Sequence, residues 1–192
     1  MIDLSWRAAT KADKTLLQGF TCTEPARRLR NGRPAPHHRE WELEVQTWFR
    51  SGDALADANE DAAYGGRLLL GFVEGDLAVC TSHARLRNPG VETPLRKHLG
   101  FEGPIRVLKA VGIARVHRGA GGLLADQALD DVLADMLDQE SSRETLVLGR
   151  VDSRNKPSER FVARNGFELL DDLPAAGQLR NWFMIIEAEL DD

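Results

Sequence analysis

The chain has 192 residues, 42% of them hydrophobic and 29% charged, with a formal net charge of −5. Such a chain reads as one globular domain over residues 1–192, large enough to bury a core without disulfide or metal staples. The charge excludes a general nucleic-acid coat protein. No apolar run approaches the ~20 residues of a membrane span, and Cys22 and Cys80 form neither a disulfide framework nor a zinc site.

MIDLSWRAAT at the start of the chain lacks the pattern of a secretory signal, so a reducing cytoplasm is the expected compartment. Charge is uneven along the chain. Residues 1–50 hold nine Lys and Arg against six Asp and Glu. Arg27, Arg28, Arg30, Arg33 and Arg39 cluster there with His37 and His38. This segment is either a solvated basic loop or a surface for an anionic partner.

In chain order, Leu4 to Ala9 reads as a short strand. Thr10 is placed to cap a helix from about Lys11 to Phe20, with Asp13 at its third position. Pro25, Gly32, Pro34 and Pro36 mark residues 21–39 as a loop. A second helix follows, with Trp41, Val45, Trp48 and Phe49 on one face as core packing. Two β-rich runs, Arg67 to Val73 and Leu77 to Leu86, flank the turn Glu74-Gly75-Asp76 and form a hairpin. Residues 88–104, with three prolines and three glycines, read as a long loop.

Ile105 to Ala114 is the fourth strand. Gly121 to Gln139 carries Leu124, Ala128, Val132 and Met136 on one face and acidic residues on the other, an amphipathic helix. Thr145 to Val151 is a strand. Pro157 opens a short helix through Arg164, which Gly166 ends. Phe167 to Leu170 and Trp182 to Leu190 are the last two strands. The class is α+β.

Two blocks carry chemistry. The first, Val111-Gly112-Ile113-Ala114-Arg115-Val116-His117-Arg118-Gly119-Ala120-Gly121-Gly122-Leu123-Leu124, places a glycine-rich turn between a buried strand and a helix start. Free N–H groups and the positive helix end favour an anion there, and glycine lets backbone approach a phosphate. The P-loop and dinucleotide patterns both fail, because Leu123 follows Gly122 and Leu124 stands where the dinucleotide pattern has glycine. The second block, Asn155-Lys156-Pro157-Ser158-Glu159-Arg160-Phe161-Val162-Ala163-Arg164-Asn165-Gly166-Phe167, follows a strand.

Together the blocks resemble the GNAT acyltransferase superfamily. Its Arg/Gln-x-x-Gly-x-Gly/Ala pattern is matched by Arg118, Gly119, Ala120, Gly121 and Gly122, with Leu123 departing at the last small position. Asn155, Ser158 and Gly166-Phe167 fit its second motif. The resemblance implies a mixed, mostly antiparallel sheet of six to seven strands, flanked by about four helices and splayed between the fourth and fifth strands. It implies acetyl-CoA or another acyl-CoA as co-substrate, with no metal. The amides of Arg118 through Leu123 would hold the pyrophosphate. The pantetheine arm would pair with Val111, Gly112 and Ile113, Gly112 permitting a local bulge, and Asn155 would contact it. Arg160 would reach the phosphates or form a surface ion pair. His117 has a structural role inside the turn.

The acid and base of the resemblance do not carry over. Val162 stands where relatives have a tyrosine, and Tyr64 is the one tyrosine of the chain. The fourth strand offers Arg106 and Lys109 near Val107 rather than a glutamate. Three readings stay open. Positioning alone can serve, with a backbone N–H near Ile113 polarising the carbonyl. Another side chain can serve: His83 on the third strand, the catalytic candidate, or Glu92, His98 and Glu102. The domain can also bind acyl-CoA without turnover. Cys80 reads as a core residue and Cys22 as an exposable loop residue. The expected activity is acetyl transfer to a primary amine of a small molecule, with an aminoacyl-tRNA or protein amine as the alternative acceptor. A homodimer through the apolar last strand is an open expectation.

Overall fold

The computed structural model describes residues 2–24, 40–119, 122–142, 144–173 and 175–188. The basic cluster Arg27 to Arg39, Ala120 and Gly121 lie outside these residues.

Seven strands form one sheet in the order β1-β2-β3-β4-β5-β7-β6. They are β1 (Leu4–Ala8), β2 (Arg67–Val73), β3 (Asp76–Arg85), β4 (Ile105–Ile113), β5 (Glu144–Asp152), β6 (Glu168–Leu170) and β7 (Leu179–Glu187). All neighbours are antiparallel except β4 and β5. The β2–β3 hairpin turns on Glu74 and Gly75, both at positive φ (52° and 87°). That pair of left-handed residues matches the twist of the flanking strands.

The helices are α1 (Lys14–Gly19), α2 (Glu40–Ser51), α3 (Asp53–Glu60), α4 (Pro89–Leu99), α5 (Leu123–Asp138) and α6 (Lys156–Arg164). Thr10 caps the 3-10 turn that leads into α1, and its N–H and hydroxyl both donate to Asp13 Oδ2. Two helices go beyond the sequence expectation. Helix α3 follows α2 after Gly52 alone (φ 88°), so one helical pattern covers both. Helix α4 replaces the loop expected over residues 88–104. It contains Pro94, which cannot donate to the preceding turn, but Asn88 caps its start by accepting from Gly90 N.

One face of the sheet packs Leu17, Phe20, Phe49, Leu55, Leu70, Cys80 and Ala110. The other packs Leu108, Leu129, Val132, Met136, Val147, Val162 and Phe167. Helix α5 thus buries the face that its periodicity marks. Cys22 is buried in the first cluster rather than exposed, because the backbone after α1 turns inward.

Strand β4 holds the bulge, and it lies at Lys109 rather than at Gly112. Ser82 pairs with Ala110 and His83 with Leu108, leaving Lys109 without a β3 partner. The extra residue flips the alternation. Leu108 and Val111, three residues apart, therefore share one core cluster, while Ala110 joins the other. Gly112 is fixed by packing. A Cβ there would come within 3.0 Å of Phe49 and 3.1 Å of Phe20.

Candidate functional site

Strands β4 and β5 pair over four rungs only, from Ile105–Leu146 to Leu108–Gly149. Beyond the last rung β4 continues to Ile113 and β5 to Asp152 without meeting. The edge of β4 that faces β5 thus lacks a strand partner from Lys109 onward. Two cavities meet at this opening, with Leu108, Lys109 and Arg150 in the walls of both.

The larger cavity has a volume of about 700 Å³. Its floor is Ala110, Val111 and Ile113 of β4, and one wall is Trp41, Glu42 and Val45 of α2. Residues Gly149 to Asp152 of β5 and Asn155, Ser158, Phe161 and Val162 of the α6 region close the other side. At its far end lies the glycine turn. Gly119 has φ 138° and Gly122 has φ 87°, conformations that side chains other than glycine's resist. Gly122 is the N-cap of α5 and no side chain caps this end. Free N–H groups and the positive end of a 16-residue helix therefore open toward the cavity, which Gly119, Gly122, Leu124 and Ala125 line.

Side chains around the turn are held in place. Arg118 donates to the Ile113 carbonyl (3.3 Å) and pairs with Glu42 at 3.4 Å, tying the turn to β4 and α2. The Arg164 guanidinium bonds Asp126 (2.7 Å) and lies over Gly122, where an added Cβ would sit 2.6 Å from its nitrogen. Asn155 caps α6 by accepting from Ser158 N at 3.2 Å, which leaves its amide N–H₂ as a donor. Trp41 Nε1 and His117 Nε2 are buried and without a partner among the described residues, and both residues line this cavity. Buried groups of this kind are uncommon unless a ligand or water satisfies them.

The smaller cavity, about 650 Å³, is lined by Asp57, Asp61, Arg85, Arg87, Asn88, Val107, Lys109 and Arg150 among others. Lys109 projects from the bulge and donates to Asp57 (2.5 Å) and Asp61 (2.8 Å), one helical turn apart. Burial opposes the Lys109 charge, but these two hydrogen bonds outweigh it and hold its pKa above the ordinary value. The Lys109 bond likewise holds Asp61 below the usual carboxylate range. Lys109 is therefore an ammonium at neutral pH and accepts no proton from a substrate.

His83 stands apart from both linings. It is fully buried, with Nε2 2.8 Å from Asp135 Oδ2 and Nδ1 2.8 Å from Arg106. Arginine only donates, so Nδ1 accepts and the imidazole proton sits on Nε2, shared with Asp135. Burial, partly offset by the Asp135 bond, lowers the His83 pKa. Arg106, also buried, reaches Glu140 (2.7 Å) and the Gly65 carbonyl (2.5 Å).

Of the residues singled out by sequence, Val111, Ile113, Arg118, Gly119, Gly122 and Asn155 come together around the larger cavity. Gly112, Leu123 and Arg160 are not in its lining. Gly112 faces the aromatic core, Leu123 is 63% exposed, and Arg164, one turn beyond Arg160 on α6, is in the lining. Glu92, His98 and Glu102 line neither cavity. Glu92 pairs with Arg96 inside α4. Sequence reasoning missed the α2 wall, Arg150 and Arg164. Trp41 falls on the apolar stripe of α2, which makes it indistinguishable in sequence from the core residue Phe49.

The open mixed sheet, its parallel β4–β5 pair and the glycine turn after β4 define the GNAT fold. Solved structures bear this out. A GNAT-family acetyltransferase of Staphylococcus aureus superposes with a TM-score of 0.57 at 14% identity, over 94% of this chain and 97% of that one. An Arabidopsis thaliana protein in complex with the bisubstrate analogue CoA-Ac-MVNAL gives 0.56 at 14% identity, over 95% and 99%. The ribosomal-protein-alanine N-acetyltransferase of Brucella melitensis gives 0.55 at 18% identity, over 96% and 99%. No family model and no curated protein sequence matches the chain. Among the described residues no helix is long and apolar enough to cross a membrane, and no group of three or more His, Cys, Asp and Glu could hold a metal ion.

Proposed function

We propose that the protein is an N-acetyltransferase that moves an acetyl group from acetyl-CoA to a primary amine of a small molecule. The observation that carries this reading is the continuity of the larger cavity. It runs from the uncapped start of α5, along the unpaired edge of β4, to the opening beside Leu108 and Gly149.

The pyrophosphate sits on the amides of the Arg118–Leu123 turn, Ala120 and Gly121 included, where each helix-end contact contributes roughly 0.3–1 kcal/mol. The pantetheine amides pair with the free edge at Val111 and Ile113, as an added strand would. Asn155 offers its N–H₂ to the same arm. The thioester then reaches the bulge, where the second cavity presents the amine. The amine nitrogen bonds the acyl carbon as the carbon–sulfur bond breaks. The amine, an ammonium in solution at neutral pH, gives one proton to solvent before it attacks and a second to the departing thiolate, so the products are the acetamide, CoA thiol and one released proton. Positioning supplies much of the acceleration, since well-oriented reactants gain roughly 7–11 kcal/mol. The Lys109 ammonium lies where negative charge develops on the departing sulfur and favours that charge.

His83 acts through structure in this reading, because its two ring nitrogens are occupied by Asp135 and Arg106. A protein amine is the second acceptor reading, and what supports it is the likeness in fold to the ribosomal-protein-alanine N-acetyltransferase of Brucella melitensis. The whole chain works as one domain, and two buried free cysteines suit a cytoplasmic setting.

Calorimetry with acetyl-CoA, followed by thiol release over a panel of amines, tests the proposal. Micromolar binding and turnover above the thioester's own hydrolysis are expected. Binding without turnover on any amine leaves an acyl-CoA-binding module. No binding at millimolar nucleotide removes the reading altogether.

A further inference from the structure

We infer that the acceptor amine carries an anionic group of its own, a carboxylate or a phosphate, and that Arg150 recognises it. The inference rests on the acetyl-transfer reading and specifies its second substrate. In a chain of net charge −5, the smaller cavity is lined by four cations, Arg85, Arg87, Lys109 and Arg150, against two carboxylates, Asp57 and Asp61. Both carboxylates are engaged already. Asp57 and Asp61 take Lys109, and Asp61 also takes Arg87 at 3.1 Å. Arg85 pairs with Glu140.

Arg150 differs from the other three. Among the described residues it has no carboxylate partner, and its side chain is exposed. It is the first residue of β5 beyond the last rung with β4, opposite Asn181 of β7, and it borders both cavities. A planar guanidinium with five donors is thus held by a strand beside the point where thioester and amine meet. Its fork matches a carboxylate or a phosphate, while an ammonium is repelled. An amine entering there is oriented by its own anion, which Arg150 holds as the nitrogen turns toward the acyl carbon.

The test uses the full chain, Arg150→Gln and Arg150→Lys. Matched probes are β-alanine against β-alaninamide, and O-phosphoethanolamine against ethanolamine. Thiol release should favour the anionic member of at least one pair by roughly tenfold or more in kcat/KM, and the better pair identifies the anion. Arg150→Gln should raise KM for that probe by roughly ten- to a hundredfold, with Arg150→Lys between. In Arg150→Gln the preference for the anionic member over its amide or alcohol partner should fall toward unity. Equal use of both members overturns the inference, as does a preference that survives Arg150→Gln. Nuclear magnetic resonance titration of nucleotide-free protein with N-acetyl-β-alanine and N-acetyl-phosphoethanolamine gives a readout independent of turnover. Binding of either that Arg150→Gln abolishes supports the inference, and binding of neither overturns it. Failure of acetyl-CoA to bind in calorimetry counts against acetyl transfer and leaves this second readout to decide the anion site.

Discussion

Arg106 places a guanidinium nitrogen 2.8 Å from His83 Nδ1 inside the sheet, while its other nitrogen meets Glu140 at 2.7 Å. Burial, with the Arg106 charge beside it, holds the His83 pKa below its ordinary value, and a charged pair is buried on the helix α5 side of β4. Removing one partner of such a pair costs about 3–5 kcal/mol, because the remaining charge stays buried. Glu140→Ala should lower the free energy of unfolding by that amount in urea, whereas an exposed control such as Asp130→Ala should shift it by under ~0.5 kcal/mol.

The same arrangement has a pH signature. His83 has a folded-state pKa below its unfolded value of ~6.5, so the unfolded chain binds its proton first. The stability this contributes is full above ~6.5 and is lost as pH falls from there toward the folded-state value. Thermal unfolding across pH 5–8 should show a decline below ~6.5 that His83→Gln flattens. An unchanged slope in that variant would show that other groups carry the decline.

Gly122 has φ 87°, and a Cβ there would meet Arg164 at 2.6 Å. Left-handed backbone costs an L residue roughly 1–2 kcal/mol, and the guanidinium must also move. Gly122→Ala should weaken acetyl-CoA binding by about tenfold or more in calorimetry, with the far-ultraviolet circular dichroism of the folded protein retained. Undiminished affinity would show that the turn holds no phosphate.

Gly112 makes the opposite case. Its Cβ position is filled by Phe49 and Phe20 rather than by the cavity. Gly112→Val should destabilise by about 1–3 kcal/mol through overpacking. Nucleotide affinity, measured well below the melting temperature, should stay within a factor of about three of the parent's.

The two thiols should be silent in the native state. Burial pushes Cys22 up to about 11, and Cys80 lies well above its ordinary value for the same reason. Thiolate is the reactive form. Reaction with a disulfide reagent at pH 8 should proceed only as fast as the protein opens, with two thiols released together in denaturant.

The sequence by itself determined the features whose causes are local. The Thr10 cap, the Glu74-Gly75 turn, the stripe of α5 and the glycine turn before it are each set by neighbours a few residues away. Those residues have the same φ requirements or periodicity wherever the chain goes. The order and spacing of the two blocks around 111–124 and 155–167 sufficed for the fold. Helix α4 escaped because Pro89, Gly90 and Pro94 break the local pattern. What only the tertiary structure decided is which distant side chains share a space. Trp41 and Phe49 lie on the same apolar stripe, yet one lines the cavity and the other fills the core. A single bulged residue, Lys109, turns the alternation of β4 over, and the β4–β5 ladder stops after four rungs. Register and splay are set by packing between strands about forty residues apart, and those two facts put Arg150 at the mouth of both cavities and seal His83 away from them.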